Sequence, residues 1–104
     1  MTDDFKQAAQ EKLQTDPVKL GIYRHYKGGL YLVFAYSLDE STLTELVHYF
    51  SLERKTCWTR TRAEFFQTVM VAPGSAAPRF EFTRPATVAE VVALATVLAV
   101  PLNG

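Results

Sequence analysis

A short run of aromatic and basic residues ends at a double glycine, Gly28-Gly29. Two adjacent glycines supply the positive φ angles of a two-residue turn, so the sequence predicts a β-hairpin at this point. Its strands are expected over Ile22 to Lys27 and Leu30 to Ser37. Because side chains alternate along a strand, the first strand has two faces. One carries Ile22, Arg24 and Tyr26, and the other carries Tyr23, His25 and Lys27.

Further short aromatic and β-branched runs follow the hairpin and predict an antiparallel sheet. Strands are expected over Glu45 to Leu52, Thr56 to Arg60 and Phe66 to Val71, whereas Ala72 to Pro78 is interpreted as a loop or linker. Closing such a sheet removes its exposed edges. The predicted fold is therefore mainly β, a small SH3-like antiparallel barrel with a helix at each end.

The two helices have different characters. The first is predicted from an N-cap at Thr2 to about Leu13, with a narrow apolar stripe and Asp16-Pro17 as its stop. The second is predicted from Val88 to about Ala99, because Thr87 and Glu90 form a capping box and Pro101 ends the helix. The second helix is apolar all round, so it must be covered on more than one side.

We expect the C-terminal helix to be buried against the barrel and against a second copy of the chain. The alternative is burial within one chain, but a barrel this small offers little surface for it. The predicted homodimer contact consists of Val88, Val91, Val92, Leu94, Ala95 and Leu98.

Length and composition limit the function further. The 104 residues suit a single domain, divided into an N-terminal helix (1–16), the barrel (17–82) and a C-terminal helical extension (83–104). A net charge of zero argues against a dedicated binder of duplex DNA. One cysteine and an acidic start without a secretory signal favour the cytoplasm, and no apolar run is long enough for a membrane span.

One segment resembles a known family, the bacterial domain of unknown function 1653. The resemblance covers Pro17 to about Phe80 and is carried by Gly21-Ile22-Tyr23-Arg24-His25-Tyr26-Lys27-Gly28, Leu30-Tyr31-Leu32-Val33, Glu45-Leu46-Val47, Tyr49, Trp58, Arg60, Phe65 and Pro78-Arg79-Phe80. It implies a compact SH3-like barrel and no established activity or cofactor. Both terminal helices lie outside it.

The resemblance also bears on which side chains face inward, since family members tend to have a polar residue at the position of Leu32. This implies that Tyr31, Val33 and Ala35 point into the barrel. An outward apolar stripe would then consist of Leu32, Phe34 and Tyr36. We expect the C-terminal helix, from the same molecule or a neighbour, to cover that stripe.

The candidate ligand-binding residues are aromatic or cationic: Tyr23, Arg24, His25, Tyr26, Lys27, Trp58 and Arg60. Guanidinium groups bind carboxylate or phosphate, and aromatic rings offer faces for stacking. The predicted function is a non-catalytic module that binds a small anionic or peptide ligand. The alternative interpretation is structural, with the aromatic rings in the core and the charges solvating its rim.

A second function class is a single-stranded nucleic-acid binder. Trp58, Arg60 and Arg62 share a strand face by parity, and Arg54-Lys55 lie nearby.

Catalysis finds little support in the sequence, although enzymatic activity stays open. Cys57 with His25 or His48 as base is a conceivable pair, but a small residue in a strand is usually a packing residue. No spacing of cysteine and histidine indicates zinc. We therefore expect no catalytic residue, no metal and no cofactor.

Overall fold

The computed structural model describes residues 3–99. In chain order, the elements are α1 (Asp3–Thr15), β1 (Gly21–His25), β2 (Leu30–Leu38), β3 (Glu45–Ser51), β4 (Cys57–Thr61), α2 (Arg62–Phe65), β5 (Thr68–Ala72), β6 (Ser75–Pro78), β7 (Phe80–Arg84) and α3 (Val88–Leu98). Within this part of the chain, no helix combines the length and the apolar character that crossing a membrane requires.

Five strands form the main sheet in the order β4-β3-β2-β1-β7, with every neighbouring pair antiparallel. The mainly β class predicted from the sequence is thereby confirmed. A separate two-stranded sheet is formed by β5 and β6. The segment Ala72 to Pro78, interpreted from sequence as a loop or linker, contributes most of this second hairpin.

A closed SH3-like barrel is not confirmed. Over residues 3–99 the main sheet has two edges, β4 and β7, which do not pair with each other. The strand expected over Phe66 to Val71 begins at Thr68 and pairs with β6 in the second sheet, so it adds no strand to the main one. Strand β7, which the sequence did not predict, extends the sheet beside β1.

The first hairpin has a longer connection than predicted. Both Gly28 and Gly29 have positive φ angles, as expected. Strand β1 nevertheless ends at His25, because the His25 carbonyl accepts a hydrogen bond from the Gly28 amide at 2.8 Å. The imidazole of His25 accepts a second one, from the Lys27 amide at 3.1 Å. Tyr26 and Lys27 therefore lie in the loop, and the predicted alternation of faces stops at His25.

The two faces of the main sheet carry separate apolar clusters. One face, which we call the aromatic face, holds Val18, Tyr23, Val33, Val47, Tyr49, Phe65 and Phe80. The other, which we call the helix-covered face, holds Ile22, Leu32 and Phe50 together with Leu94 of α3. Because α3 joins this cluster within one molecule, it supplies the cover that the sheet needs on that side.

The predicted outward stripe is confirmed at two of its three positions. Leu32 is 3% exposed in the cluster with Leu94, and Phe34 packs against the same cluster. Tyr36 instead packs on the aromatic face, and its hydroxyl donates to the Leu13 carbonyl of α1. The reason is a bulge between Val33 and Ala35, which reverses the facing of every later residue in β2.

The same bulge overturns the inward assignment of Ala35, which pairs with His48. Tyr31 and Val33 precede the bulge and contact the aromatic cluster as predicted.

Both terminal helices form close to their predicted ranges. The N-cap proposed at Thr2 and the stop proposed at Pro101 lie outside the described residues. The capping box at the start of α3 is confirmed, since Glu90 and Thr87 exchange hydrogen bonds between their side chains and backbone amides. Arg84 at the end of β7 adds two bonds of 2.8 Å to the Glu90 carboxylate. This contact fixes the start of α3 to the sheet.

Acid is expected to weaken the attachment of α3. Hydrogen bonding from Arg84 is the main reason that the pKa of Glu90 falls from 4.5 to about 2. A carboxylate with a depressed folded-state pKa stabilises the fold above its unfolded pKa, and that stability is lost as the pH falls through the folded value. Glu90→Gln should therefore lower the melting temperature at pH 7 and flatten its decline between about pH 5 and pH 2.

The matched control is Glu53→Gln, in the exposed turn between β3 and β4. It should keep the wild-type acid profile in a pH series of thermal melts. An unchanged profile in Glu90→Gln would contradict the role assigned to the Arg84 contact.

Candidate functional site

Tyr23 is part of the core and is not available to a ligand. Its side chain is 3% exposed, and its hydroxyl donates to the Lys19 carbonyl at 2.7 Å. Phe65 and Phe82 pack against the ring edge-on, with centroid distances of 5.3 and 5.5 Å. Burial raises the pKa of Tyr23, an effect that the charge of Arg62 partly offsets. The structural interpretation therefore holds at this position.

His25 lies at the rim of the aromatic face with its ring held in place. The centroid of the imidazole is 4.9 Å from Phe80 and 4.6 Å from Tyr26. Its Nδ1 accepts the Lys27 amide, which fixes the tautomer with the proton on Nε2 when the ring is neutral. Lys27 extends over the Tyr26 ring, with Nζ 5.6 Å from the centroid.

Trp58 and Arg60 lie on the edge strand β4. Trp58 pairs with Tyr49 and Arg60 with Val47, which places both on the aromatic face. The Nε of Arg60 donates to the Tyr49 hydroxyl at 3.1 Å, and its Nη1 lies 3.5 Å from the Glu64 carboxylate. Trp58 is 52% exposed. An indole this exposed beside a positioned guanidinium is available to a ligand.

Tyr31 joins the two groups of predicted site residues. Its ring centroid lies 6.2 Å from His25, 5.4 Å from Phe80 and 5.7 Å from Tyr49. Ring contacts are therefore continuous from His25, beside the hairpin loop, to Tyr49, whose hydroxyl accepts a hydrogen bond from Arg60. We call the surface over these rings the aromatic-basic surface; it consists of His25, Tyr26, Lys27, Tyr31, Trp58, Arg60 and Arg79.

Arg79 is the component that the sequence reasoning on the site missed. Its Nε donates to the Glu64 carbonyl at 3.0 Å, and its Nη2 donates to the Gln67 side chain at the same distance. The only sequence signal was its place in the Pro78-Arg79-Phe80 string. The contact with α2 makes Arg79 a fixed part of the surface.

Positive charge converges on His25. Burial is the largest cause of a lowered pKa for this imidazole, followed by the charges of Arg79, Arg60 and Lys27. The ring is consequently neutral at pH 7, and the positive charge of the surface comes from the other three side chains. Glu64, whose side chain is 58% exposed, offsets part of that charge.

Arg24 does not belong to the aromatic-basic surface. Alternation along β1 turns it away from Tyr23 and His25, and it pairs with Glu81 of β7. It lines a cleft of about 570 Å³ between the second hairpin, which contributes Val71, Ala77 and Pro78, and strand β7. His25 and Tyr26 also line this cleft, but Trp58 and Arg60 do not. The seven predicted residues therefore do not form one pocket.

Arg62 is occupied by other contacts. It begins α2 and forms ion pairs with Asp16 at 3.2 Å and Glu45 at 3.4 Å. It also donates to the Asp16 carbonyl at 2.7 Å. The basic track predicted for single-stranded nucleic acid therefore loses one of its members.

The residues considered for catalysis are not brought together. Cys57 packs with the helix-covered cluster, whereas His25 is on the aromatic face. His48 hydrogen-bonds to Ser37 at 2.7 Å and to Thr59 at 3.1 Å. Between residues 3 and 99, no three cysteine, histidine or carboxylate side chains are grouped so that they could hold a metal ion.

Comparisons with known proteins agree on one family. The family model of the protein of unknown function DUF1653 matches residues 21–82. A crystal structure of a DUF1653 protein from Bordetella bronchiseptica is similar to this chain, with 28% identity and a TM-score of 0.60 over 68% of this chain and 94% of that one. No curated protein matches. With the family model spanning β1 through most of β7, this chain belongs to the DUF1653 family.

Proposed function

We propose that this domain is a non-catalytic binding module that takes an anionic ligand on the aromatic-basic surface. The observation that carries the proposal is that Arg60 and Arg79 both bind Glu64, one at its carboxylate and the other at its carbonyl, so that two guanidinium groups lie close together. Glu64 offsets part of this positive charge, and an anionic ligand would offset the rest. A carboxylate or phosphate group is the chemistry that fits such a cluster.

Arg60 is the residue best placed to bind the anion. Its bonds to Tyr49 and Glu64 use Nε and Nη1 and fix the plane of the guanidinium. Over residues 3–99 the second terminal nitrogen, Nη2, has no hydrogen-bond partner. A fixed guanidinium loses little conformational entropy when it binds an anion.

The half-exposed indole beside Arg60 favours a ligand with a flat group near its charge. A phosphorylated or aromatic small molecule and a peptide carboxylate both meet this description. Single-stranded nucleic acid meets it too, with Arg54 and Lys55 in the adjoining turn as additional phosphate contacts. A compact anion is the better fit, because Arg62 is committed to Asp16 and Glu45.

The fluorescence of Trp58 can report binding directly, because it is the only tryptophan in the chain. We expect inorganic pyrophosphate, and separately a short blocked peptide with a free carboxylate, to change this fluorescence in a saturable titration. Arg60→Ala should weaken binding by about tenfold or more, since a charge-assisted hydrogen bond contributes about 1.5–3 kcal/mol. Its melting temperature should fall only modestly, because the side chain is partly exposed and its main loss within the fold is the hydrogen bond to the Tyr49 hydroxyl.

The matched control is Arg54→Ala, an exposed arginine in the turn before β4. It should bind both probes like the wild type. If an eight-nucleotide deoxythymidine strand binds instead, with steep salt dependence and a loss in Arg54→Ala, the nucleic-acid function replaces this one. Absence of a saturable change with every probe at millimolar concentration would overturn the proposal.

A further inference from the structure

Helix α3 leaves an apolar surface exposed on its outer side. Leu94 is 7% exposed and faces the sheet, but five other large apolar side chains of the helix are between 45% and 81% exposed. Four of them, Val88, Val91, Val92 and Leu98, share one side of the helix, and Val97 lies on the other side of Leu94. The contact with the sheet therefore accounts for only one side of the helix.

The exposed residues follow a regular pattern. Val88, Val92, Ala95 and Ala99 recur at steps of four, three and four residues, and all are exposed. This spacing places them in one stripe along the helix, turned away from Leu94. Small and β-branched side chains in such a stripe allow two helices to approach closely.

From this stripe we propose that α3 pairs with α3 of a second copy of the chain, across a twofold axis. The surface required is self-complementary, because each copy presents the same patch to the other. The stripe contains no charged residue, so two copies can meet without repulsion. The one acidic side chain of α3, Glu90, is held by Arg84.

The exposed apolar patch is large enough to form much of a dimer interface. With Leu20 beside it, which is 50% exposed, and without Val97, the exposed apolar surface amounts to roughly 450 Å², within the range of the largest patches on monomeric proteins. A standard interface buries about 800 Å² on each partner, so the patch supplies more than half of it. Thr87, Ala89 and Thr96 surround the stripe and would contribute a rim.

A groove beside α3 can receive side chains of the second copy. Its volume is about 380 Å³, and apart from Gly21 it is lined by apolar side chains, among them Leu20, Phe34, Pro85 and Val91. Val91 belongs both to the groove and to the exposed surface of the helix. The stripe and the groove are therefore continuous.

This interface differs from the one predicted from sequence at one residue. Five of the six predicted contact residues lie on the exposed surface, but Leu94 belongs to the core of its own molecule. The pairing leaves the aromatic-basic surface free, because that surface is on the opposite face of the sheet.

The test is the mass of the protein in solution, by native mass spectrometry and sedimentation. We expect the wild type, whose chain is 11.7 kDa, to give a species of two chains at tens of micromolar. Val92→Glu buries an unpaired charge at the axis and should weaken the pairing by at least about 100-fold. Val88→Glu should also weaken it, and it adds an acid to the first helical turn, where an acid favours the helix.

The control is Met70→Glu, which introduces the same charge at an apolar residue of β5 that is 65% exposed. It should remain a dimer. Val92 is the stripe residue nearest the middle of α3, so an equimolar mixture of Val92→Glu and Val92→Lys should restore pairing as a heterodimer. A partner of any other kind would not produce that rescue.

A wild type that stays a single chain up to about 100 µM would overturn the proposal, since an interface of this size normally holds at such concentrations. So would a Val92→Glu variant that remains a dimer. If the single chain instead floats with phosphatidylcholine and phosphatidylglycerol vesicles, the helix binds a lipid surface and the pairing is wrong.

Discussion

Replacing Phe65 with alanine is expected to lower the free energy of unfolding by about 3–5 kcal/mol. Phe65 is fully buried, and its ring stacks on Phe80 with a centroid distance of 4.2 Å and an interplanar angle of 4°. Tyr23 and Tyr49 contact it edge-on, each at 5.3 Å. Removing this ring leaves a cavity at the centre of the aromatic face, and close packing prevents the neighbours from filling it completely.

The neighbouring residue provides the matched control. Phe66 is 41% exposed, so Phe66→Ala removes the same number of atoms from a partly solvated site. We expect a loss of about 1 kcal/mol or less, measured by urea denaturation of both variants. Equal losses for the two variants would show that α2 is not anchored to the sheet as described.

The effect of Phe65 on the candidate site distinguishes packing from binding. Phe80 supports His25, and Tyr49 holds Arg60, so the cavity lies directly beneath the aromatic-basic surface. Phe65→Leu keeps most of the volume and should retain both folding and probe binding at 25 °C. Arg60→Ala should show the reverse, with a stable fold and lost binding.

Local pattern was enough to predict part of the fold. The double glycine predicted the first hairpin, and the capping box at Thr87 predicted the start of α3. The wrong assignments at Ala35 and Tyr36 have one cause, the bulge after Val33. A bulge depends on how two strands pair across space, so the residues of one strand do not reveal it.

The closed barrel is not confirmed, and the reason is related. A short run with aromatic and β-branched residues, such as Phe66 to Val71, indicates a strand but not its partner. Its partner is β6, a stretch rich in alanine and proline that carries little strand propensity. Because β5 pairs with β6, it adds no strand to the main sheet, whose edges stay β4 and β7 over residues 3–99.

The site could be predicted in its residue types but not in its grouping. Trp58 and Arg60 share one face of β4, as expected. His25 is connected to them by a chain of ring contacts through Tyr31 and Tyr49. Arg79 reaches the same surface from a segment distant in the sequence, and only the three-dimensional structure shows its approach to His25. Tyr23, in contrast, is buried, because strand alternation alone does not show which face packs against α2.

Replacing Leu94 with alanine is expected to cost about 2–5 kcal/mol, the second large effect. Leu94 is the one large side chain of α3 that is buried, and it covers Ile22, Leu32 and Phe50. Without it, the helix retains the Arg84 contact but loses most of its apolar anchoring to the sheet. The measurement is thermal and urea unfolding, compared with Leu98→Ala.

Pairing of two α3 helices would contribute to the measured free energies of unfolding. Leu94→Ala and Leu98→Ala should therefore be compared in a chain that also carries Val92→Glu. A single chain there should still lose about 2–5 kcal/mol with Leu94→Ala, because that contact lies within the molecule. Leu98→Ala should lower the free energy of unfolding far less in the same background, because Leu98 is 48% exposed. In the paired wild type, Leu98→Ala should instead weaken association. Equal losses at Leu94 and Leu98 in the single chain would contradict the docking of α3 described above, because of these two residues Leu94 alone packs in the cluster on the sheet.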